Sequence, residues 1–318
     1  MYLVVKDLTK KFESFNLMRM KKANPFVAVD KISFELHAGE ILGLLGSNGA
    51  GKTTTIQMLL GILTHTSGQI EYFGKDFFKN RSEILQQVSF ASTYVNLPSD
   101  LTIYENLYIQ GRIYDVGGAD LKARIEKFLK FFDMWVIRNK LFSGLSAGQR
   151  TRVMLAKAFL TYPKIALLDE PTASLDPDIA HQIREFILQQ QREYGLSVLF
   201  TSHNMDEVAY VCNRVLVLQK GKIIASDKPE NLAASVSMTK VQLVVGSGLR
   251  KTIAFVEQMN LKYKIVERCI EIEVDEHRIA ELLSGLALEG VSYSEIAVAK
   301  PTLENYFLHM AKQSRIGR

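Results

Sequence analysis

Eight residues early in the chain, Gly46-Ser47-Asn48-Gly49-Ala50-Gly51-Lys52-Thr53, fit the pattern G-x-x-x-x-G-K-[ST]. The glycines let the backbone wrap closely, so that its N–H groups and a following helix N-terminus point at phosphate oxygens. Lys52 brings a point charge to the outer phosphates. The hydroxyls of Thr53 and the adjacent Thr54 stand where the phosphates and a divalent cation would be held. A second patch of chemistry is Ile165-Ala166-Leu167-Leu168-Asp169-Glu170, an apolar run ending in two carboxylates. Asp169 at a strand tip can hold Mg²⁺, directly or through water, and Glu170 beside a terminal phosphate can polarise an attacking water.

Elements must bring these groups together. Ile41–Leu45 reads as a buried strand before the glycine loop, and Lys52 to about Leu63 as a helix after it. Strands and helices alternate to about residue 230, as in a sheet flanked by helices. Leu3–Leu8 and Ile32–Leu36 read as early strands, with an exposed hairpin tip between them at Glu13–Phe26. Residues 100–160 are rich in helical pattern, and the alternation resumes at Ile165–Leu168, Ser197–Thr201 and Arg214–Leu218. Past Pro229 the order becomes strand Val241–Val245, helix Leu249–Met259, strands Tyr263–Val266 and Ile270–Val274, helix Glu276–Leu288 and strand Val291–Val298. That β-α-β-β-α-β order is the split arrangement of ferredoxin-like domains. A last helix is expected near Pro301, with the proline in its first turn. Val241, Leu243 and Val245 on one alternation and Val244 on the other predict a sheet apolar on both faces, which needs a cover.

A net charge of +5 suits a polyanionic ligand or an anionic membrane surface and does not choose between them. Cys212 and Cys269 are far apart and read as reduced structural thiols. The amino end has no secretory pattern, and the apolar runs are strand-length, short of the ~20 residues a membrane helix needs. The chain is expected to be soluble by itself, with any membrane role exercised through a partner.

Further motifs sharpen the reading. Leu145-Ser146-Ala147-Gly148-Gln149 resembles the LSGGQ signature of the ABC (ATP-binding cassette) family, with alanine replacing one glycine. Thr172-Ala173-Ser174-Leu175-Asp176 resembles the family's D-loop, and Thr201-Ser202-His203 its switch histidine. The resemblance covers residues 1 to about 230. It implies an α/β P-loop cassette at 1–235 with a helical subdomain inserted at about 95–160, ahead of the small ferredoxin-like α+β accessory domain that the strand order gives at 240–318. It also implies ATP and Mg²⁺ as cofactors, with Thr53 and Asp169 on the metal. Two subunits would close head-to-tail over two ATP, the P-loop of one facing Ser146, Gly148 and Gln149 of the other, with Asp176 nearby. Glu170 would be the base and His203 the contact to the γ-phosphate. Phe12 stands where an aromatic stacks on adenine; an ordinary packing role is its alternative. The implied partners are a second ATPase subunit and a transmembrane permease, not nucleic acid, at the cytoplasmic face of the membrane.

One position departs from the family pattern. Aligning on Leu101-Thr102-Ile103-Tyr104-Glu105-Asn106-Leu107 puts Thr93 where the family has its Q-loop glutamine; Gln86 and Gln87 come too early. A threonine hydroxyl would reach Mg²⁺ only through water. The ending Pro301-Thr302-Leu303-Glu304-Asn305-Tyr306-Phe307-Leu308 resembles that of type 2 exporter ATPases; a plain amphipathic closing helix, with Leu303, Phe307 and Met310 on one face, is its alternative. Two rivals stand beside export. One is an ABC ATPase of DNA repair or translation, disfavoured by a single cassette without coiled-coil arms or cysteine clusters. The other is a regulatory subunit that binds ATP and hardly turns it over, disfavoured by intact Lys52, Asp169, Glu170 and His203.

Overall fold

The computed structural model describes residues 1–16, 21–92, 95–173, 175–235, 239–267 and 269–316. They form two compact units, Met1–Lys228 and Pro229–Arg318.

The first unit opens with a long antiparallel pair, β1 (Leu3–Asn16) and β2 (Lys21–Leu36). The stretch expected as a hairpin tip is mostly strand, since pairing continues from Phe12 opposite Phe26 to Asn16 opposite Lys21. Then come β3 (Ile41–Gly46), α1 (Lys52–Leu59), β4 (Ser67–Tyr72), β5 (Lys75–Asp76), α2 (Arg81–Leu85) and β6 (Val88–Ser92). Three helices follow, α3 (Ile103–Ile113), α4 (Gly118–Phe131) and α5 (Ala147–Phe159). The alternation resumes with β7 (Ile165–Asp169), α6 (Pro177–Tyr194), β8 (Ser197–Thr201), α7 (Met205–Val211), β9 (Arg214–Gln219) and β10 (Lys222–Asp227).

An antiparallel sheet, β2-β1-β4-β5, and a mostly parallel one, β10-β9-β3-β8-β7-β6, enclose one core with α1. Strands β3, β7 and β8 are buried along their whole length, which explains their unbroken apolar runs. The helical lobe is anchored by shape. In α4, Leu121, Ile125, Phe128 and Leu129 recur at helical spacing and are buried. Phe186 of α6 is ringed by Phe128, Phe131, Phe132 and Phe159 with ring centroids 4.4–6.3 Å away. Three of these pairs are edge-on and that with Phe131 is tilted, arrangements that hold a fixed geometry as well as burying area.

The second unit contains α8 (Pro229–Ala234), β11 (Thr239–Ser247), α9 (Leu249–Gln258), β12 (Lys262–Val266), β13 (Cys269–Val274), α10 (Ile279–Leu288), β14 (Ser292–Ala299) and α11 (Leu303–Ile316). Its antiparallel sheet runs β12-β13-β11-β14. Val241, Leu243, Val245, Ile270, Ile272 and Val274 form its core with Val256 of α9 and with Leu282 and Leu286 of α10. The other face is not apolar as expected. Cross-strand register puts Lys240 opposite Glu273, Gln242 opposite Glu271 and Lys264 opposite Glu271, and only Val244 interrupts β11 there. Lys240 Nζ lies 2.7 Å from Glu271 Oε1, so opposite charges meet on this face, with Val266 exposed at its edge. Pro301 also differs from expectation. It lies outside α11, because Thr302 caps the helix: Asn305 N donates to Thr302 Oγ1 (3.3 Å) and Thr302 N to Asn305 Oδ1 (2.9 Å).

Candidate active site

The loop from β3 to α1 depends on two glycines. A Cβ at Gly46 would come 2.6 Å from the Leu218 carbonyl oxygen and 2.8 Å from Ala50 Cβ. Gly51, with φ of 110°, caps α1 in the left-handed region, and a Cβ there would lie 2.7 Å from the Ala28 carbonyl oxygen. The loop thus closes around a cleft of about 390 Å³, lined by Ser47 through Thr54, Asp169, Glu170, Phe12, Phe26 and Ala28. Lys52 Nζ donates to the Gly46 carbonyl (2.5 Å). Burial pulls its ammonium below the usual lysine range, against Glu170 and Asp169, which raise it.

Strand register builds the acidic side. Ser92, Asp169 and Thr201 are paired across the neighbouring strands β6, β7 and β8. Thr201 Oγ1 donates to Asp169 Oδ1 (2.7 Å) and Ser92 Oγ to Oδ2 (3.4 Å). Asp169 is 3% exposed, and burial holds its carboxyl above the usual range despite these donors. Glu170 adopts a left-handed backbone, φ 55°, and its N–H is held by Thr201 Oγ1 (3.0 Å) and the Thr201 carbonyl (3.2 Å). Non-glycine residues rarely sit there and tend to do so at functional sites. His203 Nδ1 lies 2.6 Å from Glu170 Oε2. A carboxylate only accepts, so the proton belongs on Nδ1.

Asp169 and Thr53 offer an all-oxygen donor set in the cleft, and Asp169 carries a buried charge that a cation would offset. Both suit a hard divalent ion such as Mg²⁺.

Not every residue singled out in the sequence meets at this cleft. Ser146, Gly148 and Gln149 form the N-terminus of α5 and do not line it; nor does Asp176, which flanks the start of α6. Ser146 and Gln149 cap one another, Gln149 N donating to Ser146 Oγ (3.3 Å) and Ser146 N to Gln149 Oε1 (3.1 Å). Thr93 and Ser174 lie outside the described residues. Four contributors were missed, Ala28 among them. Phe26 faces the cleft because its strand pairs it with Phe12; Ser92 and Thr201 meet Asp169 through strand register. An apolar run ending in a hydroxyl, as β6 and β8 both do, was the available signal.

A parallel sheet with a glycine loop, a lysine and a strand-end carboxylate pair at one cleft defines a P-loop nucleotide-binding ATPase. The ABC transporter family model matches residues 29–173. The bacitracin transport ATP-binding protein BcrA of Bacillus licheniformis is 31% identical over 304 residues, covering 91% of this chain and 94% of that protein. The linearmycin resistance ATP-binding protein LnrL of Bacillus subtilis is 29% identical over 289 residues, covering 89% and 93%. A solved ATP-binding subunit of an ABC transporter superposes with a TM-score of 0.65 at 25% identity, covering 74% of this chain and 92% of that one. The chain belongs to the ATP-binding subunits of ABC transporters, and it is an ATPase.

Proposed function

We propose that two copies of this chain close head-to-tail over two Mg-ATP and drive a separate membrane-spanning permease that exports its cargo. The carrying observation is the convergence of Lys52, Asp169 and Glu170 on one cleft, with His203 bonded to Glu170, while Ser146, Gly148 and Gln149 stay outside it. A site with its signature residues on another surface is completed by a second copy. In that assembly Lys52 exchanges the Gly46 carbonyl for the β- and γ-phosphates, and the α5 N-terminus of the facing copy offers its dipole to the γ-phosphate. Phe12 and Phe26 offer ring faces to the adenine. Thr53 and Asp169 would hold Mg²⁺, which supplies charge neutralisation to the phosphates when bound. Glu170 takes the proton of the attacking water, and His203 holds Glu170 in place and reaches the γ-phosphate through Nε2.

A separate permease is supported by the described residues, among which no helix is long and apolar enough to cross a membrane. The chain would then act peripherally at the cytoplasmic face. Export is supported by relatives named for bacitracin transport and linearmycin resistance. Glu170→Gln tests the chemistry: ATP affinity is expected to stay within about threefold while single-turnover hydrolysis falls 100-fold or more, the range for a lost general base. Hydrolysis near the wild-type rate would remove Glu170 from the role.

A further inference from the structure

Behind the Glu170–His203 pair lies a buried carboxylate with no part in the chemistry just described. Glu207 of α7 is 7% exposed. Its Oε2 accepts from Thr172 Oγ1 at 2.6 Å and from Ser202 Oγ at 2.9 Å, and its Oε1 from Arg184 Nη1 of α6 at 2.7 Å. Thr172 is two residues after Glu170, and Ser202 is the residue before His203. One carboxylate oxygen therefore joins the loop leaving β7 to the loop leaving β8, the two loops that carry the pair. The tie is itself fixed. Asn204 caps α7, accepting from Asp206 N (3.0 Å) and Glu207 N (3.4 Å), while Asn204 N donates to Ser202 Oγ (3.1 Å). Arg184 neutralises the charge that burial would otherwise make costly.

We propose that Glu207 is a positioning residue: it clamps the Thr172 and Ser202 loops to one another, so that Glu170 and His203 hold a common geometry and move as one unit when nucleotide arrives. The inference rests on the reading of Glu170 and His203 given above. A hydroxyl on each loop donates to the same oxygen, so neither loop can shift by an ångström without breaking a short, charge-assisted hydrogen bond. Misplacement on that scale can lower turnover about 100-fold. Lys52 and the glycine loop have no bond to Glu207, so nucleotide affinity should not feel the change.

The test is a double-mutant cycle on the purified full-length chain, with ATP turnover and ATP affinity measured separately. Glu207→Gln keeps size and one acceptor but loses the charge. It is expected to lower kcat tenfold or more with KM for Mg-ATP within twofold. In a His203→Ala background, where the partner of Glu170 is already gone, the same change should alter the residual kcat less than twofold. Ser202→Ala and Thr172→Val each remove one donor and leave the buried ion pair intact. They should reproduce the kcat loss in part, and they carry the test if Glu207→Gln does not fold. An equal fold-loss in both backgrounds, a loss confined to KM, or full kcat in Glu207→Gln would each overturn the clamp. A Glu170→Gln variant with wild-type turnover would instead strike the underlying assignment, whatever the cycle shows.

Discussion

Thr201 ties the acidic side together, donating to Asp169 Oδ1 and accepting from Glu170 N. Thr201→Val keeps the shape of the side chain and removes one bond from each partner, while Glu170 N keeps the Thr201 carbonyl. A loss of about 1–3 kcal/mol in stability is expected, read as a fall in the denaturation midpoint. Asp169 works against stability. Its carboxyl is raised above its unfolded value, so the folded protein holds the proton while the unfolded chain has already released it. Stability therefore declines as pH rises from the ordinary carboxylate range through the raised value, and the charged form is the costly one at neutral pH. Asp169→Asn should melt higher than the wild type at neutral pH without nucleotide, with the gap closing as pH drops below the carboxylate range. A gap independent of pH would show that the carboxyl carries no such burden. Little of this was legible beforehand. Asp169 announced itself as the end of an apolar run, but Thr201 and Ser92 are 32 and 77 positions away from it in the chain. Only the register of three strands makes them neighbours, and register is not written in any one strand.

At the scale of elements, the stretch 100–160 was read only as helical, although two of its helix starts carry a local cap. The α3 start has Thr102 with Glu105 three residues on, and α5 has Ser146 with Gln149, both reciprocal capping boxes. From β11 to β14 the strands and helices of the second unit were read to within a few residues, since the alternation in β11 and β13 is period-2 and α9 and α10 have helical spacing; α8 was not read. The outer face of its sheet differs from the apolar face that Val244 predicts, because Glu271, Glu273 and Lys264 on neighbouring strands lie beside it. The α11 cap gives a clean prediction. Thr302→Ala removes the acceptor for Asn305 N and should cost about 1 kcal/mol, with faster amide exchange in the first turn of α11, while Thr302→Ser keeps both. ATP turnover of the isolated chain should be unaffected. Unchanged exchange in Thr302→Ala would mean the cap does not hold the helix start.

At the scale of the whole molecule, the second unit begins at Pro229, where the sequence pattern also changes. A boundary at 235–240 assigns Pro229–Ala234 to the cassette, yet α8 packs with α11, 69 residues further on than Ala234, and both bury apolar side chains: Leu232 and Ala233 in α8, Leu303 and Tyr306 in α11. The position of a truncation should therefore decide its outcome. A chain ending at Lys228 removes the second unit whole, and one ending at Lys240 keeps α8 while removing α11. At ~25 cal/mol per Å², uncovering the apolar side of one short helix costs roughly 2 kcal/mol and leaves a sticky patch. The 1–228 chain is expected to stay monomeric without nucleotide and to bind ATP within a few-fold of the full chain, since every residue lining the cleft lies before position 171. The 1–240 chain should bind ATP equally well but self-associate at lower concentration, a difference that sedimentation of the two chains side by side would reveal. Equal self-association would mean that α8 does not depend on α11 for its cover. Failure of a folded 1–228 chain to bind ATP would mean that the second unit takes part in the nucleotide site after all.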